Sequence, residues 1–180
     1  MKVVSMTAPV FVLALMLATF LSPARADSAD PCAGYSWDVS QERALFGSQA
    51  MTAIDGGATP ASVTMNRLYA MHLAVQGLVN FASPPSKKIP ADPAYAGLAT
   101  LELSTPGTYR ISGDSSFWID VVVAGKVVES RDHQGQKGCN SPHKIVEFEL
   151  PAAVPVLLEF SGASTPEIRF SVTATPSAKP

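Results

Sequence analysis

The sequence predicts a mainly β protein, an antiparallel β-sandwich of jelly-roll-like type preceded by one short helix. Three observations carry this reading. After Gly97, apolar runs of five to seven residues follow one another at short spacing, each closed by Gly, Pro, Ser or Asp. No helical pattern of ten residues or more interrupts them, which argues against parallel strands joined by helices. The runs are rich in β-branched and aromatic side chains, which suit a pleated surface buried on one face.

In chain order, residues 1–26 read as a secretory signal peptide. Lys2 supplies a positive start, Val10 to Leu21 an apolar run, and Ala24-Arg25-Ala26 a small-x-small cleavage site. As a helix that run would cover about 18 Å, well short of the roughly 30 Å of membrane hydrocarbon. Cleavage after Ala26 is expected to leave a periplasmic or secreted chain with no membrane span. Cys32 lies too far past the cut for lipid attachment.

Residues 27–64 read as an N-terminal segment. Asp38 is placed to cap a helix from Val39 to Phe46, with Gln41 as its capping-box partner and Gly47 as the stop. Ser48 to Thr64 is small, Gly- and Pro-containing and aperiodic, and so reads as a connecting loop.

Residues 65–175 form the sandwich. Tyr69, Met71, Leu73 and Val75 alternate as on a strand, and Leu78 to Phe81 is expected to return as its hairpin partner through Gln76-Gly77. Ser83 to Pro93 holds four prolines and reads as an extended loop. Strands are then expected at Leu98 to Leu103, Thr108 to Ser112, Phe117 to Val123, Ile145 to Leu150, Val156 to Phe160 and Ile168 to Thr173. Lys126 to Glu129 forms a hairpin with the third of these through Ala124-Gly125. Period-two placement assigns Leu101, Leu103, Tyr109, Ile111, Ile119, Val121, Val123, Val146, Phe148, Leu150, Leu158 and Phe160 to the core. Glu147 and Glu149 fall on the opposite, solvated face. Residues 176–180 read as a frayed tail.

Composition removes several functions. Charged residues are only 16% of the chain, the net charge is −2, and no basic run exceeds Lys87-Lys88, so nothing resembles a nucleic-acid footprint. The two cysteines, Cys32 and Cys139, are expected to pair in an oxidising compartment, closing a loop of more than about 100 residues. Hydrolase-elbow, phosphate-loop and zinc signatures are missing. Asp114 and Asp120 flank Ser115-Ser116 in a pattern that fits a turn better than a calcium loop.

Two places could meet a ligand. The first is the strand Phe117 to Val123, whose alternation turns Trp118 and Asp120 away from the core. An indole beside a carboxylate is how a sheet presents a stacking platform to a sugar ring, although the N-terminal segment could instead cover this face through Tyr35 or Trp37. The second is the polar loop from Asp132 to His143, pinned at Cys139, which offers Asp132, His133, Asn140 and His143. His133, His143 and Asp132 could also make a two-histidine, one-carboxylate iron site.

The stretch Leu101 to Thr173, with its Pro-Gly-Thr-Tyr-Arg-Ile and Trp-Ile-Asp-Val-Val-Val strands and its Val-Leu-Leu-Glu-Phe-Ser-Gly close, resembles the small β-sandwich of pre-peptidase C-terminal type domains. With Pro31-Cys32-Ala-Gly-Tyr-Ser-Trp-Asp-Val-Ser and Gly138-Cys139-Asn-Ser-Pro-His-Lys-Ile-Val-Glu-Phe, the chain past residue 26 is similar to a family of small exported bacterial proteins. Members of that family sometimes bear the name homogentisate 1,2-dioxygenase, which implies mononuclear iron chemistry; the family pattern itself implies a sandwich, export and both cysteines.

The expectation is therefore an exported, non-catalytic sandwich without cofactor or metal. It would bind a glycan, a peptide or a cell-envelope partner through the Trp118 face or the loop around Cys139. The alternatives are an iron enzyme using His133 and His143, and a purely structural envelope protein.

Overall fold

Alternating apolar side chains can be buried only if two sheets close on one another, and the chain does this. The computed structural model describes residues 1–3, 30–88 and 90–175. The expected signal peptide and its cleavage site, apart from the first three residues, lie outside the described residues, as does the tail at 176–180.

One helix, α1 (Ser40–Gly47), is followed by β1 (Met51–Asp55), β2 (Ala61–Val63), β3 (Leu68–His72) and β4 (Ala74–Val75). The remaining strands are β5 (Tyr95–Glu102), β6 (Gly107–Gly113), β7 (Trp118–Val123), β8 (Lys126–Val128), β9 (Asp132–Gly135), β10 (Lys144–Leu150), β11 (Pro155–Ala163) and β12 (Glu167–Ala174). The first sheet runs β1-β3-β12-β6-β10-β9 and the second β2-β5-β11-β7-β8, with β4 added beside β5. Among the described residues no helix is long and apolar enough to cross a membrane.

All twelve expected core residues pack in one cluster between the sheets, with Val123 and Val146 partly buried at its margin. Phe160 joins the two layers, its ring 4.6 Å from that of Phe170 and 5.7 Å from that of Phe117. Replacing Val121, fully buried at the centre of β7, by Ala is expected to cost about 2 kcal/mol in urea denaturation. The β7–β8 hairpin turns at Ala124 and Gly125, both at positive φ (49° and 75°), the geometry whose twist matches the flanking strands.

Four expectations change. The sheets are mixed, since β1 pairs parallel to β3 and β2 parallel to β5. The expected loop Ser48 to Thr64 therefore contains two strands, made by edge pairing to strands that lie later in the chain. Leu78 to Phe81 is not a strand. After β3 the chain steps across to the second sheet at β4, and Gln76-Gly77-Leu78 makes a single 3-10 turn. Val79 and Phe81 then pack on the outside of the second sheet beside Ala96 and Leu98. At α1, Val39 occupies the capping position without a side-chain bond, while Asp38 accepts the Ser40 amide at 3.0 Å.

The N-terminal segment lies on the outer face of the first sheet. The Cys32–Cys139 disulfide forms, with its Cα atoms 5.0 Å apart. Ser36 and Gln134 exchange two hydrogen bonds, of 2.9 and 2.6 Å, and Gln136 donates to the Gly34 carbonyl at 2.7 Å. The Tyr35 hydroxyl donates to the Pro142 carbonyl, and burial pushes it up to about 12. Under this cover Arg110 meets Glu147 at 2.9 Å, donates to the Asp38 carbonyl at 2.7 Å, and stacks 4.7 Å from the Trp37 ring. Glu147 is thus not the solvated partner of Glu149 that its spacing suggests. Only Glu149 is exposed, paired with Arg131.

Candidate functional site

β8 and β9 are the edge strands on the same side of the two sheets, and Glu129, Ser130 and Arg131 carry the chain from one sheet to the other between them. β8 pairs only with Val121 to Val123, so the first half of β7, Trp118 to Asp120, has no strand beside it at this edge. β9 reads Asp-His-Gln-Gly and supplies no apolar side chain to fill the gap, and Gly135 supplies none of any kind. The result is a cavity of about 660 Å³ between the sheet edges. Ile119, Val128, Val146 and Phe148 give it an apolar floor, while Trp118, Lys87 and Lys144 face it with larger groups.

The wall beyond β7 comes from the proline-rich loop. The Asp120 carboxylate accepts the amide and hydroxyl of Ser86 and, at 3.0 Å, the Trp118 Nε1–H. The indole N–H is shared with Ser86 Oγ at 2.8 Å. Lys87 then rests 4.9 Å from the centre of the Trp118 ring. The outward face of Trp118 is therefore covered by Ser86 and Lys87 and not by Tyr35 or Trp37, which lie with the first sheet.

Beside Asp120, its cross-strand neighbour Glu159 fastens the same loop by accepting the Ala82 amide at 2.6 Å. Glu159 is 1% exposed, and its second oxygen has no hydrogen-bond partner among the described residues. Burial raises this carboxyl above its ordinary value, against the pull of the Ala82 and Ser83 amides. A raised folded-state value means that the folded chain holds this proton more tightly than the unfolded chain. Glu159 therefore subtracts stability as pH rises through its folded value, and the loss is recovered on acidification toward the ordinary value of 4.5. Glu159→Gln is expected to remove that slope and to raise stability at neutral pH by about 1 kcal/mol, measured by urea denaturation across pH.

Lys144, the first residue of β10, shares the core face with Val146 and Phe148. Its ammonium donates to the Phe117 carbonyl and lies 4.6 Å from the centre of the Phe117 ring. Burial, with Lys87 nearby, pulls it down to about 8.

Compared with known protein families and curated proteins, the chain matches no family model and no curated protein.

Of the site residues expected from the sequence, Trp118, Asp120 and His133 line the cavity. Asp132, Asn140 and His143 do not. Asp132 accepts the His133 amide at 2.7 Å, and the Asn140 side chain accepts the Ser141 hydroxyl at 3.2 Å. The two ring nitrogens of His143 lie 3.2 Å from the Cys139 carbonyl and 3.2 Å from Ser116 Oγ. Among the described residues no three His, Cys, Asp or Glu side chains group as metal ligands would. Asp114 pairs with Arg169 at 3.0 Å. The segment Asp132 to Gly135, expected as loop, is strand β9.

Proposed function

We propose that the chain is an exported, non-catalytic binding protein whose ligand enters the cavity between β8 and β9. The observation that carries this is the gap between the sheet edges, about 660 Å³ with an apolar floor and a tryptophan beside it. Pockets of this size, mostly apolar with a few placed polar groups, are where small ligands bind. The disulfide fits an oxidising compartment. The cavity suits a ligand better than an open sugar platform does, because the Asp120 oxygens that would take sugar hydroxyls are spent on Ser86 and Trp118.

Nile red, a neutral apolar dye, tests the reading. Saturable fluorescence enhancement at one site is expected, lost in Val128→Trp, which fills the cavity from the inward-facing position of the edge strand, and weakened in Trp118→Ala. Dye uptake that is unchanged in a folded Val128→Trp chain would place the ligand elsewhere.

A further inference from the structure

We propose that the cavity takes an anionic amphiphile, its single acidic group held between Lys87 and Lys144 and its apolar body laid along Ile119, Val128, Val146 and Phe148. This rests on the reading of the cavity as a ligand site and adds the chemical class of the ligand.

Two ammonium groups face one cavity from separate elements, Lys87 from the proline-rich loop and Lys144 from β10. Among the described residues neither takes part in an ion pair. The carboxylates that share the lining offer little compensation. Asp120 is engaged by Ser86 and Trp118, and Glu129 sits in solvent past the end of β8. His133 is exposed on β9. What Lys144 does touch, the Phe117 carbonyl and the face of its ring, steadies a cation without neutralising it.

Two like charges brought together, one of them partly buried, are a cost that the fold does not need, because methionine at residue 144 would serve the packing. An acidic group between them removes that cost. The apolar floor beside the lysines excludes a bare inorganic ion as the natural occupant, since such an ion would leave the rest of the cavity unused.

The test is calorimetric titration of the full chain at neutral pH with decanoate and with decanol, which share an alkyl body and differ in charge. Decanoate is expected to bind more tightly by about tenfold or more, the size of one charge-assisted hydrogen bond. Lys144→Met and Lys87→Met should each remove most of that preference, read as the ratio of the two affinities within each variant. Lys87 is exposed, so its variant reads the effect even if the Lys144 variant folds poorly. Equal affinity for the two compounds, or a preference untouched by both substitutions, overturns the anionic assignment. So does failure of both to bind a chain that still takes up Nile red. Failure of Nile red as well removes the cavity reading with it.

Discussion

Replacing both Cys32 and Cys139 by Ser is expected to lower stability by about 3 to 5 kcal/mol, with a fall in melting temperature of roughly 10 °C. The bridge joins residues 107 apart, so in the unfolded chain it closes a loop that spans most of the sandwich. The chain-entropy account gives its largest effect for such long loops. Urea denaturation of the oxidised chain against the double variant measures the difference. A loss below about 1 kcal/mol would mean that the hydrogen bonds from Gly34, Tyr35 and Ser36 hold the N-terminal segment by themselves.

The second large effect is expected at Arg110. This residue is 4% exposed, and it serves Glu147, the Asp38 carbonyl and, at 3.7 Å, Glu42. Glu42 is 1% exposed and also accepts the Thr173 hydroxyl at 2.7 Å, so α1 is docked on β12 through a buried carboxylate. Arg110→Met leaves two acids in a desolvated layer without their cation, and the expected cost is about 3 to 5 kcal/mol. Adding Glu42→Gln and Glu147→Gln to the same chain should recover a large part of it, because the penalty lies in the stranded charges and not in the lost contact. A triple variant no more stable than Arg110→Met would assign the effect to packing against Trp37.

The strands that could be read in the sequence are those whose own side chains decide their state. From Leu98 to Thr173 the alternation of large apolar residues is strong enough to fix the face of each strand, as at Ile119, Val121 and Val123. The strands that escaped reading are made by their partners. Met51 to Asp55 is almost wholly exposed and becomes β1 by lying along β3. Asp132 to Gly135 holds none of the β-branched residues that favour strands and becomes β9 through β10. Such pairing is a tertiary event with no local signal.

At the site, Trp118 stood out because the period of its strand turns an indole away from the core beside the Asp120 carboxylate. Lys144 was missed, yet its signal was present. In Lys144-Ile-Val-Glu-Phe-Glu-Leu the same period that sends Val146, Phe148 and Leu150 inward sends Lys144 with them. The grip of Asp120 and Glu159 on the proline-rich loop had no such trace, since Ser86 and Ala82 are remote in sequence from both acids.

The outermost strand of the first sheet has a further consequence for the life of the molecule outside its native state. β9 presents its free side at the boundary of the sheet, and a free strand side is a template for another chain. Here the segment tethered by Cys32 bonds to the side chains of Gln134 and Gln136, so it lies over the outer face of the sheet and not along the backbone edge of the strand. What blunts that edge is the strand itself, four residues long and polar, while the covalent link holds the N-terminal segment over the face behind it.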